Sequence, residues 1–308
     1  MVTCFACRDV MHLVSTGVIL KNITNTTPII LKSYNPTNPN SDIDTYQSCT
    51  IIAVGLPCFR IFAHQNNRLI FLENCNPMPE FVHLHNHTHY SLLDAACTPD
   101  QLIQAAKEDG QKAIALTDHG VMFGCFEFYK KAKNAGIKPI LGCEVYIANG
   151  SRFDKGAGKA ATKKRNYFHL VLLAKNDIGY KNLMKLTTLG HTEGFYYRPR
   201  IDTDLLEQYH EGLIALSACL AGVINAPLLA GDYETARKNA IWYKNLFGDD
   251  FYIELQNHGL EGDEIVMTQA PRLAEELDIK LIVSNDCHYI KKNMPSRIMC
   301  SSISRTQD

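Results

Sequence analysis

The amino-acid sequence predicts an α/β fold in which seven strand–helix units close into a barrel. Three observations carry that prediction. From Phe81 onward, short apolar runs alternate with windows of helical period, the pattern of a mostly parallel sheet with helices packed outside it. The runs number seven, and polar residues gather at their ends, which favours a barrel over an open sheet. No GxGxxG follows the first run, so a dinucleotide-binding open sheet is not supported.

The predicted strands are residues 81–84, 113–116, 139–147, 167–174, 213–216, 251–255 and 280–283. Between them lie helices with readable starts. Thr98 followed by Pro99 supplies an N-cap and a first-turn proline ahead of Leu102, Ile103, Ala105 and Ala106. Asp232 opens a helix through Ala236, Ala240, Tyr243 and Phe247, which Gly248 stops. Asp263 opens another that reaches Leu277, with Pro271 expected to kink it.

The chain of 308 residues holds 31 Lys+Arg against 32 Asp+Glu, for a net charge of −1. With 46% hydrophobic and 20% charged residues it is a globular composition, which excludes wholesale disorder. Near-neutrality leaves room for a nucleic-acid partner only through a local basic surface. No apolar run reaches the ~18 residues of a membrane span, so no membrane partner is expected. Eleven cysteines, odd in number and scattered, read as reduced thiols of a cytoplasmic protein. The lone CxxC of Cys4 and Cys7 has no second pair and reads as coincidence.

Residues 1–77 differ from the rest. Their only charged residues are Arg8, Asp9, Lys21, Lys32, Asp42, Asp44, Arg60, Arg68 and Glu73, about half the usual density. They show no sustained helical period, and short runs such as 50–54 and 68–72 lack hairpin signals. The expectation is an upstream segment that is not a native domain.

Ten of the 12 histidines lie at or after His83. His85 and His87 are two apart at the end of the first predicted strand, so they face one point. Asp94 follows. His119 closes the second strand, Glu144 lies in the third, His169 in the fourth and Cys219 just after the fifth. Asp286 and His288, again two apart, close the seventh. In β/α barrels, catalytic groups gather at the C-terminal ends of the strands. Imidazole, carboxylate and one thiolate suit zinc, manganese or iron. These donors are too many for one tetrahedral ion and suit two or three ions sharing carboxylates. Closely spaced ions bind hydroxide and clamp a phosphate. His89, His191 and His210 read as surface residues, while His258 could support the ligands from behind. Residues 149–166 carry Arg152, Lys155, Lys159, Lys163, Lys164 and Arg165 among Gly and Ala, a basic loop that could contact nucleic-acid phosphates.

Seven segments bear a family resemblance: MPEFVHLHNHTHYSLLD, ALTDHGVMFGCFEFYKKAKNAGIKPILGCEVYIA, YFHLVLLAKNDIGYKNLMKL, EGFYYRPRID, GLIALSACLAG, FYIELQNHG and VSNDCHYIKK. From Met78 to Lys292 the chain resembles the N-terminal PHP (polymerase and histidinol phosphatase) domain of bacterial DNA polymerase III alpha subunits. The resemblance implies a distorted (β/α)7 barrel with a trinuclear metal site. It places the nine ligands on His85, His87, Asp94, His119, Glu144, His169, Cys219, Asp286 and His288. All nine positions hold competent residues, the pattern associated in the family with 3′–5′ exonuclease proofreading by metal-bound water. His85, His87, Asp94, His119 and Glu144 would then hold that water.

The resemblance also implies a DNA 3′ end as substrate, the other replicase subunits as partners and the cytoplasm as location. Family members begin close to the His-Leu-His strand, which marks Met78 as the expected start. The tail 293–308 departs from the family pattern and reads as aberrant, with the polymerase region and its catalytic aspartates missing. Two other functions compete with the exonuclease: a stand-alone phosphomonoesterase of the histidinol-phosphatase type, and a metal-binding structural module without catalysis.

Overall fold

The computed structural model describes residues 62–65, 68–71, 81–156 and 167–290. They fall in two units, Met1–Phe81 and Val82–Asp308. In the first, strands β1 (Phe62–Gln65) and β2 (Arg68–Phe71) pair antiparallel, with Gln65 opposite Arg68. The sequence shows no alternation that would announce this hairpin. Its only signal is the pair Asn66–Asn67 between the strands, a residue type that accepts turn backbone. Cys4 and Cys7 lie outside the described residues.

The second unit is the α/β barrel. Its elements in order are α1 (Pro99–Glu108), β3 (Ala113–Leu116), α2 (Cys125–Asn134), β4 (Lys138–Ala148), β5 (Tyr167–Ala174) and α3 (Asp177–Thr192). Then follow β6 (Phe195–Tyr196), β7 (Arg198–Ile201), α4 (Thr203–Tyr209), β8 (Leu213–Leu216), α5 (Asn225–Leu229), α6 (Tyr233–Phe247), β9 (Phe251–Leu255), α7 (Asp263–Glu276) and β10 (Lys280–Val283). The helix starts follow their caps. Thr98 and Gln101 form a reciprocal capping box on α1, and Asn176, Asp202 and Asp232 cap α3, α4 and α6 through their side chains. Gly248, at φ 57°, ends α6. Pro271 sits inside α7.

The sheet runs β10-β9-β8-β5-β4-β7-β6, with β3 on the first half of β4. β3, β4, β7, β8, β9 and β10 are mutually parallel, while β5 runs against both its neighbours, β4 and β8. The first predicted strand, 81–84, is not a regular strand. Its extension at 83–87 instead bridges the two free edges of the sheet. Ala115 N donates to His83 O and Thr117 N to Asn86 O on one side. On the other, His87 N donates to Cys287 O and Cys287 N to His85 O. The hairpin β6–β7 and helix α4 were not predicted. The hairpin lies in a segment, EGFYYRPRID, with no clear period of either kind, and the helix of seven residues that follows is too short to show one.

Two apolar layers result. Ile114 and Leu116 of β3 face outward to Leu102, Ile103 and Ala106 of α1 and to Phe128 and Ala132 of α2. Ala115, Val171, Leu173 and Leu216 face inward, with Ile140, Tyr252 and Ile282 packed against them. Among the described residues, no helix is long and apolar enough to cross a membrane.

Candidate metal centre

Along β3, β4, β5 and β10 the inward face changes character, from apolar to metal-binding residue types. Because side chains alternate in a strand, the inward residue Ile140 of β4 places Glu144 and Tyr146 on the same face. Likewise Ala115 leads to His119, Ile282 to Asp286 and His288, and Tyr252 to Glu254. β5 obeys the same rule in reverse. His169 lies near its start and pairs with Tyr146, so the reversal of β5 brings His169 to the C-terminal end of β4.

Glu144 is the hub. Its Oε2 lies 2.7 Å from His119 Nδ1, 3.2 Å from His87 Nε2 and 3.4 Å from His85 Nε2. Its Oε1 lies 2.9 Å from His169 Nδ1. Asp286 Oδ1 lies 3.1 Å from His87 Nε2 and 3.2 Å from His85 Nε2. Asp94 Oδ2 reaches His119 Nε2 at 2.9 Å and His288 Nε2 at 3.6 Å. Cys219 Sγ lies 3.7 Å from His169 Nδ1. All nine sequence-predicted donors are therefore neighbours, eight through direct contacts of histidines with carboxylates and Cys219 through His169. Three subsets each bring their donor atoms within 4.8 Å of one another: His85, His87, Glu144 and Asp286; His119, Glu144 and His169; and His87, His119 and His288.

The chemistry of these contacts fits a divalent cation. Five buried atoms, His85 Nε2, His87 Nε2, His119 Nδ1, Glu144 Oε2 and Asp286 Oδ1, face one another without an aligned hydrogen bond. Buried polar atoms are rarely left so. Metal–ligand bonds of about 2.0–2.2 Å put neighbouring donors about 3.0–3.4 Å apart in octahedral or tetrahedral shells, close to the spacings seen here.

Behind the donors stands a second layer of hydrogen bonds. Fully buried Glu254 accepts from His85 Nδ1 at 2.8 Å and is itself held by Gln256 Nε2 at 3.0 Å and by Ser284 Oγ. His87 Nδ1 meets Ser91 Oγ at 2.9 Å, and Ser91 donates to Asp118 at 2.8 Å. Such partners fix which ring nitrogen faces the ion. The sequence signal for Glu254 was the alternation Tyr252, Glu254, Gln256 on an inward face. His258 was the residue expected in this supporting role. It bonds Asn285 O at 2.9 Å instead, since it follows the strand and has left its face.

The electrostatics show a demand for positive charge. Burial pulls the His85 pKa down, but Asp286, Glu254 and Glu144 outweigh it and hold the imidazole well above its ordinary value. For His119, Glu144 and Asp94 likewise outweigh burial and push the pKa up to about 9. Burial opposes ionisation of Glu144 and Asp286, yet the facing histidines hold both carboxyls below their usual range. Hydrogen bonds from His119 and His288 do the same for Asp94. Burial raises the Cys219 thiol. Without a cation, protons must neutralise this cluster.

The sequence places His191 at the surface. It is exposed, but its Nε2 lies 3.0 Å from Gly120 O, beside His119, because α3 packs under that loop. Of the basic loop, Lys155 is exposed, and Lys159, Lys163, Lys164 and Arg165 lie outside the described residues. The loop's root is fixed: Arg152 pairs with Asp202 at 2.9 Å and with Glu193 at 2.7 Å.

Residues 83–258 match the family model for the PHP domain. The DNA polymerase III subunit alpha of Borreliella burgdorferi is 50% identical over 212 residues, which cover 69% of this chain and 18% of that protein. The subunit of the same name from Aquifex aeolicus is 49% identical over 217 residues, covering 68% and 18%. The chain thus spans under a fifth of the length of these relatives. Among solved structures, a provisionally assigned metal-dependent phosphoesterase of Bifidobacterium adolescentis aligns over 73% of this chain and 97% of its own, at 12% identity and a TM-score of 0.45.

Proposed function

Because the chain belongs to the PHP domain family, we propose that it is the metal-dependent phosphoesterase domain of a DNA polymerase III alpha subunit, removing nucleotides from DNA 3′ ends. The observation that carries this reading is the convergence of five buried, unsatisfied donor atoms around Glu144. The 50% identity to a DNA polymerase III subunit alpha favours DNA over a small phosphate ester in this reading. In this reading the partners are DNA and the other replicase subunits, the place is the bacterial cytoplasm, and nucleotide addition belongs to the rest of such a subunit.

The ligands are His85, His87, Asp94, His119, Glu144, His169, Cys219, Asp286 and His288, and they suit two or three zinc, manganese or iron ions. Bound ions would supply Lewis acidity, both for the attacking oxygen and for the leaving 3′ oxygen. Glu144 presents Oε2 to His85, His87 and His119 and Oε1 to His169, so both of its oxygens would be available to bound ions. Glu254 and the Ser91–Asp118 pair hold His85 and His87 with Nε2 inward. Asp94, half exposed beside His119 and His288, is the donor nearest solvent. It is placed to orient an entering group or carry away a proton.

The test uses the full chain, loaded with zinc or manganese, on 3′-labelled single-stranded DNA and on histidinol phosphate. Shortening of the DNA by wild type, lost in His87→Ala and kept in His210→Ala, supports the reading. Hydrolysis of histidinol phosphate alone replaces it with a monoesterase. Equal rates for all three proteins, or none at full metal loading, reject catalysis and leave a structural metal module.

A further inference from the structure

The rim of the centre beside His119 and His169 is built from residues that the ligand set does not use. The Tyr146 ring stacks on His119 at 5.8 Å and meets His169 edge-on at 5.3 Å. Tyr167 lies parallel to His169, at 6.0 Å and 11°, and edge-on to Tyr146 at 5.1 Å. Over Tyr146 sits the guanidinium of Arg198, 5.6 Å from the ring centre, with Tyr167 close by. Arg198 is exposed. Its neighbour Arg200 is buried and spent on the carbonyls of Gly194, Arg152 and Asp154. Among the described residues, no carboxylate forms an ion pair with Arg198, although Asp94 is near enough for its charge to register.

Two backbone features hold Arg198 in place. Gly120, directly after His119, has φ +64°, and a Cβ there would lie 2.7 Å from Pro199 Cγ and 3.0 Å from Tyr146 Cε2. The strand that carries Arg198 is thus pressed against the loop that carries a donor. Tyr197, at the turn from β6 to β7, has φ 58°. Of the other described non-glycine residues with positive φ, Leu93, Ala218 and Asp286 lie at or beside the donors Asp94, Cys219 and Asp286. Left-handed backbone at bulky residues persists where the surroundings over-determine it, and it clusters at functional sites.

We propose that Arg198, backed by Tyr146 and Tyr167, is an anion subsite at the mouth of the metal centre that grips the non-bridging oxygens of the substrate's phosphate. The proposal rests on the phosphoesterase reading above. A guanidinium fork matches two phosphate oxygens, and an aromatic floor holds it flat without neutralising it. The carboxylates of the centre are directed at histidines, and Arg198, exposed and in no carboxylate ion pair among the described residues, offers its charge to an incoming anion.

The experiment measures inorganic phosphate binding to the zinc-loaded full chain by calorimetry at low salt, with zinc content checked in each sample. Arg198→Gln should weaken phosphate by about tenfold or more with zinc content unchanged, as expected for a lost charge-assisted pair. Arg198→Lys, which keeps the charge but not the fork, should fall between. Arg237→Gln, whose partner is Glu276 on the outer helices, should bind as wild type does. A loss under about threefold in Arg198→Gln, loss of zinc in that variant, or no phosphate binding by wild type would each overturn the proposal. Phosphate binding that depends on Arg198 in a protein that cleaves no DNA would keep the subsite and remove the exonuclease.

Discussion

Glu144 concentrates more of the centre than any other side chain, since both its oxygens face histidines, but its support is spread among residues that touch no donor pair themselves. Glu254 is the clearest of these. It lies fully buried against His85 Nδ1 and ties that ring to Gln256 and Ser284. Glu254→Gln keeps the volume and loses the charge, and should weaken zinc by about 10–100-fold. Competition with a chromophoric chelator measures it, and unchanged affinity would mean that Glu254 serves folding alone. Protons and metal compete for the same atoms. With the His119 pKa raised to about 9, the metal-free protein carries a proton there at neutral pH. Metal binding should therefore release acid at about pH 7.5, and the share owed to His119 should fade as pH rises through about 9. Calorimetry in buffers of different ionisation enthalpy counts it; no release at neutral pH would contradict the assignment of His119. The sign for stability follows. Folding raises this pKa, so protonated His119 stabilises the metal-free protein fully below its ordinary value of 6.5, and the contribution fades as pH rises through about 9.

At the scale of elements, the period-two spacing of His85 with His87 and of Asp286 with His288 was legible, because residues two apart share a strand face whatever the sheet does next. The direction of β5 was not. A run such as Tyr167–Ala174 reads the same in either direction, and only its pairing with β4 and β8 places His169 at the donor end. The residues that close the sheet do not read as what they are for a related reason: 83–87 bonds to two neighbours but never forms a ladder long enough to be a strand. Helix seating depends on small residues. In α3, Gly179 lies against the Gly212 carbonyl so closely that a Cβ would sit 1.8 Å from that oxygen. Gly179→Ala must push α3 off the start of β8, and should cost roughly 2 kcal/mol or more in urea unfolding. A variant as stable as wild type would show that the helix can shift freely. Since α3 also carries His191 to the Gly120 carbonyl, such a shift would reach the loop of His119, and His210 is the better neutral control.

For the whole molecule, the charge-poor first 77 residues and the unit boundary at Phe81 set up the proposal that residues 78–292 are the folded domain, to which limited proteolysis should trim the chain. A resistant fragment retaining Cys4 would contradict it. Within that domain, the two edges of the curled sheet meet through 83–87 and 286–288, and these segments carry His85, His87, Asp286 and His288. Four of the proposed ligands therefore sit on both sides of one seam, joined by only a few backbone hydrogen bonds. A cation that binds the folded form alone stabilises it by about 4 kcal/mol at a thousand times its dissociation constant. Placed here, its effect should be concentrated at the seam. Removing metal with a chelator should lower the midpoint of thermal unfolding by several degrees, and the amides of His87 and Cys287 should exchange hydrogen faster, while the core of β5 stays protected. Zinc should restore both. If the metal is shown to be gone and the His87 and Cys287 amides exchange as before, the seam closes without ions. The centre would then contribute to chemistry and not to the closure of the barrel.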